Sequence, residues 1–145
     1  MSELSAYGIS IRVPPGWEGR AFRHGEGEAT LHLGSFPLPR ADGEFGSHAT
    51  ARMPADGLFL ALTEYRAAHR DLEAGLFAAP APRSIERGLL SGQSLLRPID
   101  GQRGQQRFFA AARRAFCLYV VVGRHGERHL AAANAALASL RIAPQ

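Results

Sequence analysis

Two histidines, His125 and His129, stand four residues apart. On a helix that spacing sets both imidazoles on one face at metal-ligand distance. Gly126 lies between them, and no glutamate or third ligand is near in sequence, so the pair reads as a solvated loop entering a helix and no metal is assigned. His24, His32, His48 and His69 are scattered, and His32, on the outward parity of a strand, reads as a surface residue. The single cysteine, Cys117, excludes an internal disulfide and a cysteine-built zinc site. Flanked by Phe116 and Leu118, it reads as a buried structural thiol, because a reactive cysteine needs an electropositive, partly exposed setting. Ser91-Gly92 lacks the preceding glycine of a nucleophile elbow. Glu26, Glu28, Asp42 and Glu44 fit no EF-hand spacing and read as solvated turn carboxylates. Gly101-Gln102-Arg103-Gly104 precedes a strand, not the helix N-terminus that would complete a phosphate cradle. All 17 basic residues are arginine, which excludes a Walker A lysine and Schiff-base or pyridoxal-phosphate chemistry. No catalytic residue, metal or cofactor is assigned.

The charge is uneven. Residues 1–72 hold seven arginines against nine acids, and residues 73–145 hold ten against four. Arg103, Arg113, Arg114 and Arg124 are therefore the candidate contacts for an anionic partner. A hairpin joining Gln105–Ala112 to Ala115–Gly123 at Arg113-Arg114 would place its tip on the order of 26 Å from Arg103 and Arg124, at roughly 3.3 Å per residue. Phosphate backbones need cations that track together, so no specific nucleic-acid partner is expected. An arginine-rich, lysine-free composition also serves simply as a solubilising surface.

The elements that must position these residues open with Tyr7, Ile9, Ile11 and Val13, alternating with Gly8, Ser10 and Arg12 as in a strand with one buried face. Pro14-Pro15-Gly16 ends it, and Trp17 is expected to pack back over the strand end. Glu18 to Arg23 and Ala29 to Phe36 follow as strands around Gly25-Glu26-Gly27, so the opening reads as an antiparallel meander. Pro37 to Gly46 is a surface loop. Ser47 is expected to cap a short helix to Met53 that Pro54 stops. Leu58 to Tyr65 is apolar on both parities and reads as a central strand. His69 to Phe77 reads as a helical turn or two, Ala78 to Pro82 as a linker, and Leu89 to Leu96 as weak strand. In the strand 115–123, Phe116, Leu118, Val120 and Val122 line one face and Cys117, Tyr119 and Val121 the other, so both faces need cover. Leu130, Ala133, Leu137 and Leu140 recur at helical spacing and supply one cover.

A chain of 145 residues, 46% hydrophobic with a net charge of +4, suits one domain over residues 1–145 with its own core. Met1 to Gly8 shows neither a secretory signal nor a lipoprotein cysteine. The longest apolar runs, 115–123 and 130–140, fall short of the roughly 20 residues a membrane helix needs. The expectation is a soluble cytoplasmic protein with no membrane partner.

The segment Tyr7-Gly8-Ile9-Ser10-Ile11-Arg12-Val13-Pro14-Pro15-Gly16-Trp17, with the closing strand Phe116 to Val122 and helix Leu130 to Ile142 ending in Ser-Leu-X-Ile, resembles the PsbP-like family. That family is named after an extrinsic photosystem II subunit and shared by many small bacterial proteins. The resemblance covers about a third of the chain, at its ends. It implies an α+β fold, an antiparallel sheet of about six strands with helices on both faces in an α/β/α sandwich. It also implies a binding or assembly module for a protein partner more than an enzyme, with no catalytic residues carried over. The rival expectation is a small-molecule-binding protein or enzyme with a pocket between sheet and helix.

Overall fold

The computed structural model describes residues 2–23, 28–66 and 75–144. Two antiparallel sheets, of three and five strands, replace the expected single sheet of about six. The small sheet is ordered β1-β2-β8, from Ser2–Ala6, Ile9–Val13 and Arg141–Ile142. The large one is ordered β3-β4-β5-β7-β6, from Glu18–Arg23, Ala29–Gly34, Leu58–Glu64, Arg114–Val122 and Arg103–Ala111. Two helices, α1 (Ser47–Arg52) and α2 (Leu130–Ala138), and several 3-10 turns complete the described residues. No described helix is long and apolar enough to cross a membrane.

Both expected double-sided strands are central. Every residue of β5 and β7 is buried, because each is paired on both edges and covered on both faces. Leu58, Leu60 and Leu62 of β5 and Phe116, Leu118, Val120 and Val122 of β7 face one core, which Ile9, Ile11 and Val13 of β2 and Leu130, Ala133 and Leu137 of α2 close. Phe59 and Ala61, with Tyr119 and Val121, face a second core closed by Phe36, Leu38, Ala49 of α1 and Leu95. The alternation in the sequence thus becomes two separate cores, one on each face of one sheet.

The opening meander is corrected in two respects. β2 does not pair with β3 but with β1, a strand the sequence reading missed, in the register Ala6↔Ile9. Tyr7 leaves the strand alternation and occupies the turn, where Tyr7 and Gly8 have φ of 55° and 77°. Positive φ at both central residues matches the right-handed twist of a two-residue hairpin. The β6–β7 hairpin repeats this device one residue earlier than expected: Ala112 and Arg113, at φ 52° and 63°, form the turn, with Ala111 opposite Arg114. Neither residue is glycine, so the turn stores backbone strain that nine paired positions hold in place.

Trp17 packs against the first core partly buried, with its ring edge-on to His129 at 5.9 Å. The expected strand around Leu89 to Leu96 is absent. In its place are 3-10 turns at Arg87–Leu89 and Gly92–Ser94 and one bridge, Ser91↔Gly104. Gln105 and Gln106 hold this segment to β6 by donating Nε2–H to the carbonyls of Glu86 (2.8 Å) and Ser94 (3.0 Å). The turn Gly25-Glu26-Gly27 and most of the segment from His69 lie outside the described residues; Gly75–Phe77 is a 3-10 turn.

Leu137 is fully buried between α2 and the large sheet. Leu137→Ala is expected to cost about 2–5 kcal/mol, read as the shift in urea midpoint at unchanged m-value.

Candidate functional site

The residues singled out from the sequence do not converge. His125 is exposed while His129 is partly buried against Trp17, and no group of three or more His, Cys, Asp or Glu among the described residues is placed to hold a metal. The Ser91 hydroxyl is spent accepting from Gln93 N–H at 3.0 Å. Cys117 is fully buried, and that burial pushes its thiol up to about 12.

The four arginines fare differently from one another. Arg113 is exposed at the hairpin tip. Arg103 pairs with Glu127 at 3.5 Å and Arg124 with Asp100 at 3.7 Å, at the other end of β6 and β7. Arg114 is no surface contact at all: it is 1% exposed. Its Nε and Nη2 donate to Glu64 Oε2 and Oε1 at 2.8 and 3.0 Å. Nη2 also donates to Tyr7 O at 2.8 Å, and Nη1 to Ala143 O at 2.9 Å. The guanidinium lies over the Phe116 ring, 5.3 Å from its centroid. A buried charge is tolerated only when paired and saturated with hydrogen bonds, and here four of the five guanidinium N–H groups are engaged. The one sequence signal for this was Glu64 itself, a carboxylate inside an apolar run.

Asp42 and His32 also move from surface to interior. Asp42 Oδ1 accepts from the backbone N–H of Gly43 and His48, and Oδ2 from that of Ala49, each at 2.9 Å. It therefore does for α1 what Ser47 was expected to do, from five residues further back, and the N-cap position is Gly46. His32 is 1% exposed, set edge-on between Phe22 and Phe59. Its Nε2 lies 3.1 Å from the Glu44 carbonyl, which also accepts from the hydroxyls of Thr30 and Thr63 at 2.8 Å. Three buried polar side chains of β4 and β5 thus grip one loop carbonyl.

What this anchoring builds is a cleft. The loop residues Glu44 and Phe45, Ser47 and Thr50 of α1, Leu96, Arg97 and Tyr119 surround about 250 Å³. Tyr119 sits at its base, buried, which raises the phenol above its ordinary pKa of 10.0. Its oxygen accepts from Leu96 N–H at 2.9 Å, and its own proton has no protein acceptor among the described residues. Phe45 stands edge-on to Tyr119 at 5.9 Å. Leu96, half exposed, forms the rim. A second cleft, of about 450 Å³, lies beside the C-terminal end of α2 and carries Arg12, Arg83 and Arg141.

Two outcomes follow from the buried groups. Arg114→Met and Glu64→Gln are each expected to cost about 3–5 kcal/mol, while the double variant costs less than their sum by more than about 1 kcal/mol, as urea unfolding in a double-mutant cycle reads out. The native Cys117 thiol should resist alkylation by iodoacetamide at mildly alkaline pH and react only after unfolding. Because its folded pKa is raised, it contributes stability that is complete below the ordinary value of 9.0 and lost as pH climbs towards about 12. No protein-family model, curated protein or solved structure matches the chain.

Proposed function

We propose that the chain is a non-catalytic binding module, a single PsbP-like domain acting in the cytoplasm, that engages a protein partner through the cleft between the 37–46 loop and Leu96-Arg97. The observation that carries this reading is the pairing of an exposed apolar rim with a fixed base. Leu96 is 50% exposed beside Phe45 and the buried Tyr119, and exposed apolar surface next to a formed concavity marks a contact site. The loop that forms the opposite wall is held by Asp42 on one side and by Thr30, His32 and Thr63 on the other. Ordering cost on binding is correspondingly small. An extended peptide suits the geometry: an apolar side chain rests on Phe45 and Leu96, and a backbone carbonyl accepts the free Tyr119 O–H.

For the rival, a small-molecule-binding protein or enzyme with a pocket between sheet and helix, the interface of the large sheet with α2 offers little space. The void lined by Ile11, Leu60, Leu118 and Leu137 measures about 10 Å³, room for one water at most and none in so apolar a setting.

Selection of a phage-displayed heptapeptide library on the immobilised protein tests the reading. Sequences with a shared apolar position should be enriched, and Leu96→Asp should abolish their binding while Leu89→Asp, at another exposed leucine, leaves it unchanged. Absence of enrichment, or equal loss in both variants, would overturn it.

A further inference from the structure

We propose that the second cleft, beside the C-terminal end of α2, is a binding site for a small dianion of the phosphate or phosphomonoester class. This goes beyond the peptide cleft and is independent of it. The walls bring together Arg12 of β2, Arg83 of the segment after the described 3-10 turn at Gly75–Phe77, and Arg141 of β8, with Glu3 of β1 as the one carboxylate and Ala135 and Ala138 beneath. Three guanidinium groups against one carboxylate leave two positive charges at one concavity.

Those charges are more than the fold requires. The end of a helix leaves carbonyls that one cation can satisfy, and Arg83 does so by donating Nη1–H to Ala138 O at 3.0 Å. Arg141 spends one donor on Glu3, Nη2 to Oε2 at 3.2 Å. The Arg12 side chain has no protein partner among the described residues, although it stands directly across the ladder from Glu3. Each guanidinium offers five N–H groups in a planar fork that matches a phosphoryl oxygen pair. Most of those donors have no protein acceptor among the described residues.

The backbone that carries them is fixed. Ser139 Oγ accepts from Arg12 N–H at 2.9 Å and donates to Ala136 O at 2.6 Å, which ties β2 to the last turn of α2. Arg141 is paired with Ser10 in the β2–β8 ladder. Ala135 and Ala138 contribute small side chains to the lining, and the volume of about 450 Å³ lies in the range of small-ligand sites. The helix C-terminus presents a partial negative charge that opposes an anion; the Arg83 bond to Ala138 O offsets it.

Calorimetric titration of the full chain with inorganic phosphate, at constant ionic strength, provides the test. Saturable one-to-one binding is expected, weakened about tenfold by Arg12→Gln, weakened likewise by Arg83→Gln, and unchanged by Arg113→Gln at the exposed hairpin tip. Because Arg83 also holds a helix carbonyl, its variant is scored only beside a thermal melt, whereas Arg12 has no such role and decides the matter alone. A parallel arm measures co-sedimentation with phosphatidic acid vesicles. Binding to vesicles without binding to inorganic phosphate would overturn the small-anion assignment, as would non-saturable binding or equal weakening by Arg113→Gln.

Discussion

The ion pair between Arg114 and Glu64 is the point on which the two sheets depend. Glu64 ends β5, Arg114 begins β7, and the two strands are neighbours in the large sheet. Beyond Glu64, the guanidinium reaches the carbonyls of Tyr7, in the β1–β2 turn, and Ala143, just after β8. One side chain therefore joins the large sheet to both the first hairpin and the last strand of the small one. Desolvating a guanidinium and a carboxylate is costly, and the cost is offset only when geometry is close and every lone pair is used. That requirement turns the pair into a constraint: the Tyr7-Gly8 turn must come close enough to bond. A Cβ on Gly8 would meet Arg114 Nη1 at 2.9 Å, and Gly8 is at φ 77°. Both the close approach and the left-handed backbone call for glycine there.

The same constraint reaches the chain's end. β8 pairs with β2 through only two residues, a ladder too short to hold a terminal segment by itself. Ala143 supplies the remainder, with its N–H donated to Gly8 O at 2.8 Å and its carbonyl held by Arg114. With that end fixed, the turn from α2 into β8 is fixed as well, and so are Ser139 and Arg141 at the cleft of three arginines. A buried charge at one end of the molecule thus shapes a charged concavity on its surface. The other face of the large sheet is organised by a different device, buried threonine and histidine gripping the Glu44 carbonyl, and the two clefts are consequently held by separate networks.

How much of this was legible in the sequence follows from the range of each interaction. The alternation Ile9, Ile11, Val13, the two-sided runs 58–65 and 115–123 and the helical spacing of Leu130, Ala133 and Leu137 are local patterns, and each corresponds to an observed element, with the two strands at Leu58–Glu64 and Arg114–Val122. Parity gave the correct face for His32 but not that this face is covered, because its cover is a loop whose seat is made by Thr63, 33 residues beyond Thr30. The hairpin turn was misplaced by one residue, since Ala112 and Arg113 adopt positive φ without the glycine or asparagine that announces it. In sequence Arg114 is indistinguishable from the surface cations, because one arginine in an arginine-rich chain looks like any other.

Which segments must be buried, and on how many faces, is written in the sequence, and its composition excludes lysine-dependent chemistry, an internal disulfide and a cysteine-built zinc site. Hydrophobic periodicity is a property of neighbouring residues and survives without knowledge of the fold. Tertiary structure alone decided that the strands divide into two sheets, that Arg114 meets Glu64 across 50 positions of sequence, and that Arg12, Arg83 and Arg141 share one cleft. Charge carries no periodicity: whether an arginine is solvated, paired in the core or gathered with others depends on which distant strand lies beside it, and that is settled only when the ladders and both cores close together.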